Sequence, residues 1–509
     1  MITSLLLILF SHLPVSVGDA HANEPGILLN QAQSYYKQGQ YYTAARYAYA
    51  AGQNASGEIV GEANSWVALS LAKAGMYNSS TYFFIQTLQS GYKPAIKRVL
   101  SITETLLVKV GPDLLREFLI KHTQYSDYDA LQLSAYLFTL GKAAILKADE
   151  NRAIEYLNQV KPQSKLFPYS LQLRATALAL QGRVAEAAED FRDCQKYSKL
   201  VASDTNPKEA EDLKNRCTAG EARALYQAER FKEADAVYDR IPKSSIVWPE
   251  VLFEQAWNAY AKREFNRTLG KLVTYKSPGL EFIYNSEIEI LRSQSYLSLC
   301  LYDDVQKSAE DFESKYTPVG LEVKRFVETN AGNLEAFYRF GIETLRVKAS
   351  QATPAQRMAL QFLRGPYFYT LVNQEKSILR EKSAVAAFGR QSQSGPSGLA
   401  GFLNEVMDWR RKSIHRLGGV FVKNSFIDYH TTLIEDFEKN SFIKLEMLSR
   451  YKEKLVRKTT TSSAEEDDRV RGNIKPGRRN DQMFWTFNGE FWNDELGDYV
   501  FGLESQCAQ

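Results

Sequence analysis

Small and aromatic residues recur along the first three-fifths of the chain at spacings that fit pairs of antiparallel helices. Between Leu171 and Pro242, Ala175 is followed twelve residues later by Ala187, and four further on by Phe191. Ala222, Ala234 and Tyr238 repeat those offsets. A small residue at each key position lets two helix backbones cross closely, and the aromatic fills the gap toward the next pair. No such pair buries its own apolar face, so the pairs must stack. The same key is legible at Ala32, Gly39-Gln40-Tyr41 and Ala44, and at Ala68, Gly75-Met76-Tyr77, Ser80 and Phe84. A degenerate third unit covers Pro94–His122, with Gly111-Pro112-Asp113 opening its second helix. A fourth uses Gly141, Ala153 and Leu157 and closes at Pro162. Units keyed on Ala256 and Ser293 complete the series, the last ending at Pro318. Ala153 to Ala187 is 34 residues, whereas Ala187 to Ala234 is 47, so about 13 extra residues lie in or near Ser198–Asp212. Thr268 and Val305 replace alanine at their crossings, which predicts altered packing angles there.

Beyond Pro318 the repeat is lost but helical periodicity continues. Thr353-Pro354 reads as an N-cap followed by proline at the first helical position, and Gly365-Pro366 as a break or kink. Ser392–Gly401 reads as a loop. Leu403, Val406, Met407, Arg410, Ile414 and Leu417 form one helical face that should end at Gly418-Gly419. A longer helix should follow to about Arg457. Its stripe of Phe426, Leu433, Phe437, Leu448, Tyr451 and Leu455 suits packing along another helix, with intramolecular core as the ordinary use and dimerisation as the alternative. Thr459–Asn480 has no apolar periodicity and reads as a mobile linker. Six aromatics then crowd Phe484–Tyr499, a density that requires docking. We expect Phe484, Trp485, Phe491 and Trp492 to be the docked side chains. The expected organisation is a signal peptide over 1–22, an all-α solenoid of stacked helix-turn-helix repeats over 23–318, a long-helix domain over 319–458, a linker over 459–481 and a docking tail over 482–509.

Composition narrows the function. A net charge of +3 over 509 residues is too small for general nucleic-acid binding. The apolar run Leu5–Phe10 followed by Ala20-His21-Ala22 fits a Sec-type signal peptide cleaved after Ala22, hence a periplasmic or otherwise exported protein. No Lys or Arg precedes that run, which leaves the position of the true start codon open. No later apolar run is long enough to span a bilayer. The four cysteines, Cys194, Cys217, Cys300 and Cys507, form no short-spaced ligand cluster, so no metal site is expected and disulfides are the favoured use. Cys194 ends one repeat and Cys217 begins the next, which makes them neighbours in a stack and a predicted disulfide. Cys300 and Cys507 would then form a second bond that pins the tail. Phosphate-loop, nucleophile-elbow and zinc-protease motifs are missing from the sequence, so no cofactor and no catalysis are expected.

The residues keyed on Ala32, Ala68, Ala175, Ala222 and Ala256 resemble the tetratricopeptide repeat (TPR) family over Leu28 to about Pro318. That resemblance implies a right-handed superhelix that binds protein or peptide partners in a concave groove lined by the first helix of each unit, without chemistry of its own. Counted from the small key residues, Arg223, Tyr226, Trp257 and Tyr260 should face that groove. A second resemblance rests on Cys217, Ala256-Trp257, Cys300-x-Tyr302 and the Trp485–Gly497 tail. It is to exported TPR proteins of envelope- and gliding-associated bacterial systems, and it implies a place in the cell envelope. The reading is a non-catalytic exported scaffold with protein partners and no nucleic acid. The alternative is a cell-wall (peptidoglycan)-active enzyme, or a regulator of one, acting through the C-terminal helices.

Overall fold

The structure, a computed structural model, describes residues 24–53, 55–130, 132–202, 208–280, 283–348, 351–391, 395–460 and 482–507. The expected signal peptide, and the expected linker from residue 461 on, lie outside them. Apart from two strands of two residues each, the regular structure among the described residues is helical. The helices follow one another as α1 (Pro25–Lys37), α2 (Tyr41–Gln53), α3 (Glu58–Lys73), α4 (Tyr77–Gln89), α5 (Lys93–Val99), α6 (Thr103–Val110), α7 (Pro112–His122), α8 (Leu133–Ile145), α9 (Glu150–Asn158), α10 (Phe167–Leu180) and α11 (Val184–Tyr197). They continue as α12 (Glu209–Gln227), α13 (Phe231–Tyr238), α14 (Trp248–Ala261), α15 (Phe265–Val273), α16 (Glu287–Ser298) and α17 (Tyr302–Thr329). Last come α18 (Leu334–Thr344), α19 (Pro354–Leu363), α20 (Pro366–Gln391) and α21 (Leu399–Thr460). The fold is an all-α solenoid of helix pairs, continued by long helices.

One turn geometry marks the pairs. Gly39, Gly75, Ala148, Gly182, Glu229, Arg263 and Cys300 all have left-handed backbones, with φ between 54° and 78°. After each, an amide reaches back five residues to a carbonyl: Gln40 to Tyr35, Met76 to Leu71, Asp149 to Ala144, Arg183 to Leu178, Arg230 to Leu225, Glu264 to Ala259 and Leu301 to Tyr296, all at 2.9–3.0 Å. This double-closed helix end satisfies carbonyls that would otherwise be orphaned. The degenerate unit lacks it, and α6 and α7 meet at Gly111 instead, at φ 92°. The small key residues Ala32, Ala68, Ala153, Ala175, Ala187, Ala222, Ala234 and Ala256 are fully buried at the crossings. Where Thr268 replaces alanine, its hydroxyl lies 3.4 Å from the Ala256 carbonyl, so the oxygen is satisfied within the crossing. A side chain in the left-handed region costs about 1–2 kcal/mol, against roughly 0.4–1 kcal/mol of extra unfolded-state freedom for glycine. Arg263→Gly should therefore stabilise the protein by about 0.5–1 kcal/mol. A urea midpoint that falls on this substitution would show that the turn is unstrained.

The chain forms two compact units. The first comprises residues 1–102 and 381–406. Within it Arg46 donates to the carbonyls of Pro396 (2.8 Å) and Gly395 (3.1 Å). Phe402 packs among Tyr49, Tyr82 and Phe83. Buried Glu381 caps α4: its Oε1 accepts from the Asn78 amide and Nδ2, both at 2.8 Å, and its Oε2 from the Ser79 amide and Oγ, both at 3.0 Å. Burial raises the Glu381 pKa, while those four donors pull the other way.

The second unit comprises residues 103–380 and 407–509. Two expected helix ends are corrected here. Helix α17 runs straight through Pro318, because Tyr316, Val319 and Val323 on either side are buried in one apolar cluster, and that packing outweighs the lost hydrogen bond. Helix α21 runs unbroken through Gly418-Gly419. Those glycines serve close approach: a β-carbon on Gly418 would lie 2.5 Å from the Tyr338 ring, and one on Gly419 would lie 2.1 Å from the Leu334 carbonyl oxygen. Nearby, Glu375 accepts from His415 Nε2 (2.8 Å), Arg411 Nε (2.8 Å) and Tyr338 Oη (2.6 Å). Burial opposes its charge, but these donors outweigh burial and hold the carboxyl down to about 2.

The tail, from Gln482 on, lies against α15. Strand β1 (Trp485–Thr486) pairs in parallel with β2 (Tyr499–Val500). The phenyl rings of Phe487, Phe491 and Phe501 gather with Tyr499. Asn266 reads the tail's main chain: its carbonyl accepts from the Phe501 amide (3.0 Å), its Oδ1 from the Leu503 amide (3.0 Å), and its Nδ2 donates to the Leu503 carbonyl (2.9 Å). Gly270 has no side chain to hold the tail off, and a β-carbon there would lie 1.8 Å from the Tyr499 carbonyl oxygen. Buried Lys271, its pKa lowered by burial, donates to Gln255 Oε1 (3.0 Å) and the Gly497 carbonyl (3.1 Å). The docked side chains differ from those expected. Tyr499 and Val500 are buried, whereas Trp485 is 40% and Trp492 57% exposed. Tyr499 packs among Phe487 and Phe491, and its hydroxyl accepts from the Trp492 amide at 2.8 Å. Phe484 does find a partner, the Arg267 guanidinium 4.3 Å above its ring. Disulfides join Cys194 to Cys217 and Cys300 to Cys507.

Candidate protein-binding site

The four residues assigned to the groove lie on neighbouring first helices of the second unit: Arg223 and Tyr226 on α12, Trp257 and Tyr260 on α14. Each helix owes its placement to its key alanine, Ala222 or Ala256, which is fully buried against the second helix of its pair. Arg223 and Tyr226 stand three residues apart on α12, as Trp257 and Tyr260 do on α14, so each pair shares a face of its helix.

Arg223 spans the two helices. Its Nε lies 3.0 Å from both carboxylate oxygens of Glu254, and its Nη2 lies 2.6 Å from Glu254 Oε1 and 2.8 Å from Glu250 Oε1. Tyr238 adds a hydrogen bond from its hydroxyl to Glu254 Oε2 at 2.9 Å. Burial works against the Arg223 charge, but the Glu254 hydrogen bonds and the two carboxylate charges outweigh it and raise the guanidinium pKa. Burial, then Glu254, raises the Tyr238 hydroxyl pKa. With one guanidinium against two carboxylates, and Glu250 67% exposed, this cluster presents negative rather than positive charge.

Beside it runs an aromatic series. Trp257 meets Phe253 edge-to-face at 6.5 Å and Tyr260 at 5.7 Å; Tyr260 meets Phe265 at 5.4 Å. The Tyr260 hydroxyl lies 3.4 Å from Ser298 Oγ. Tyr226 packs against Phe231 at 5.4 Å. Tyr226, Phe253, Trp257 and Tyr260 are all part-buried against the apolar cluster formed by α12–α16. The structure therefore brings Trp257 and Tyr260 into direct contact, while Arg223 joins an acidic pair. Sequence reasoning missed Glu250, Glu254 and Tyr238. The available signal was the four-residue spacing of Glu250 and Glu254, which puts both carboxylates on one face of α14.

Among the described residues, no group of three or more His, Cys, Asp or Glu side chains could hold a metal ion, and no helix is long and apolar enough to cross a membrane. No family profile and no curated protein matches the chain. The crystal structure of yeast Tom70 is similar to it at 12% identity, covering 86% of this chain and 97% of that one, with a TM-score of 0.20.

Proposed function

We propose that the chain is a non-catalytic, exported scaffold of the bacterial cell envelope, and that it takes a protein partner on the face carrying Arg223, Tyr226, Trp257 and Tyr260. The observation that supports this best is the part-buried aromatic series Phe253, Trp257 and Tyr260 beside Glu250, whose carboxylate is solvent-exposed though paired with Arg223. Rigid aromatics next to a fixed charge are the usual anchors of a protein interface. A segment with a basic side chain next to an apolar one fits that chemistry. The two disulfides are compatible with an oxidising compartment.

The test compares the proteins captured from envelope extracts by the wild-type chain and by Trp257→Ala/Tyr260→Ala, with thermal unfolding measured alongside. The expected result is loss of a specific partner by the double variant, with its affinity down about 30-fold or more and the unfolding temperature little changed. Loss of folding instead of loss of the partner would make these residues packing elements only.

A further inference from the structure

The two cystines differ in their surroundings. Cys194 and Cys217 are both 0% exposed, inside an apolar cluster with Leu171, Ala187 and Phe191. Cys300 is 8% exposed at the left-handed turn between α16 and α17, and Cys507 packs part-buried against its cluster. The segment that this second bond ties down, Phe501–Cys507, follows β2 and forms no helix or strand of its own. Phe501 and Leu503 pack on Leu269, Leu299 and Leu301. Asn266 holds the main chain of Phe501 and Leu503, and the Gln506 amide donates to the Leu299 carbonyl at 2.9 Å. A few such contacts barely offset the entropy of ordering an irregular segment of this length, so the covalent bond decides whether it stays down. The same spot adjoins the candidate partner face. The Ser298 carbonyl lies 3.6 Å from Cys507 Sγ, and the Ser298 hydroxyl lies 3.4 Å from that of Tyr260. Phe265, which meets Tyr260 at 5.4 Å, shares one cluster with Phe501 and Leu503.

We propose that the Cys300–Cys507 cystine is a thiol-operated latch. Reduction by a dithiol frees residues 501–507, bares Leu269, Leu299 and Leu301, and loosens the support of Tyr260, while Cys194–Cys217 stays oxidised. A thiolate of the reductant attacks Cys507 Sγ, the S–S bond breaks, and Cys300 leaves as a thiolate that takes up a proton. The reductant's second thiolate then attacks its own sulfur in the mixed disulfide and releases Cys507, which is protonated in turn. Two electrons and two protons pass to the protein, and the reductant departs as a cyclic disulfide. The same attack does not reach Cys194 or Cys217 while the helices around them are folded. Tyr499 and Val500 stay seated, because the close approach at Gly270 and the β1–β2 pairing do not involve the cystine. The consequence for Tyr260 rests on the partner face proposed above; the latch itself does not.

The test uses the folded full-length protein in graded dithiothreitol. Maleimide labelling read by mass should find Cys300 and Cys507 reduced at about one-tenth or less of the concentration that opens Cys194–Cys217. Hydrogen exchange over residues 501–507 should then be about 100-fold faster or more, with residues 485–500 little changed. Cys300→Ser/Cys507→Ser should show the same exchange pattern without any reductant, which separates the latch from the other cystine. Simultaneous opening of both cystines overturns the proposal. So does a 501–507 segment that keeps its protection once its bond is cut. At the partner face, the double-serine variant should hold the partner lost by Trp257→Ala/Tyr260→Ala about 10-fold more weakly than wild type. Equal affinity with the latch open overturns the coupling to Tyr260. If Trp257→Ala/Tyr260→Ala loses no partner, the partner-face reading falls and takes that coupling with it, while labelling and exchange still decide the latch.

Discussion

Gly270→Ala should lift the C-terminal tail off the second unit and lower that unit's stability by about 3–6 kcal/mol. The new β-carbon would come within 1.8 Å of the Tyr499 carbonyl oxygen and 2.3 Å of its carbon. These are main-chain atoms, held by the Asn266 bonds on one side and the β1–β2 pairing on the other, and they cannot swing aside as a side-chain tip would. Unseating the tail returns Tyr499 and Val500 to water, each worth about 1.5–3 kcal/mol when buried, and exposes Lys271. Limited proteolysis reads the outcome: the variant should be cut between Gln482 and Tyr499 within minutes, with the fragment still attached through Cys507 until reductant is added. Gly279→Ala is the control, since a β-carbon there meets nothing within 4 Å, and it should change stability by no more than about 0.5 kcal/mol. Equal protease resistance of the Gly270 variant and the wild type would mean that the tail does not need this approach.

In the first unit the largest single effect should come from Glu381→Ala, at about 3–5 kcal/mol. Two main-chain amides at the start of α4, with the Asn78 amide group and the Ser79 hydroxyl, converge on this one carboxylate. Removing it strips a buried acceptor from four donors at a helix end whose amides have no partner along the helix. Glu381→Gln should be nearly as damaging, because one carboxylate oxygen becomes an amide donor facing other donors. Hydrogen exchange at Asn78 and Ser79 reports the local change, and chemical unfolding the global one. Protection of those two amides that survives Glu381→Ala would show that the cap is dispensable.

The helix pairs were legible because their requirements are local: alanines at fixed offsets for the crossing and a turn that leads back. At Gly39, Gly75 and Gly182 the turn advertises itself. At Ala148, Glu229, Arg263 and Cys300 the same left-handed backbone carries residues that do not favour it, and only the flanking keys disclose it. Pro318 and Gly418-Gly419 misled for one reason. Proline and glycine weaken a helix by local preference, and here packing of Tyr316 and Val319 in one case, and of Tyr338 and Leu334 in the other, decides the matter. At the candidate site the aromatics could be counted from the repeat key. The acidic pair that takes up Arg223 belongs to the next repeat, so its role appears only when the two helices are placed side by side. Glu381 gave no signal at all, since its partners are some 300 residues away in sequence.

The bond between Cys300 and Cys507 also changes how the protein carries load. Tension applied at the C-terminal end does not travel back through the tail, α21 and the helices before it. It crosses the cystine and enters the solenoid at the turn before α17. Residues 301–506 become a covalent loop in parallel with that path, bypassed by the load while the sulfurs stay joined yet still packed on the first helices through residues 381–406. In a chain anchored at both ends the cystine would therefore cap the covalent length available to the load, and reduction of that one bond would add the length of the loop to it.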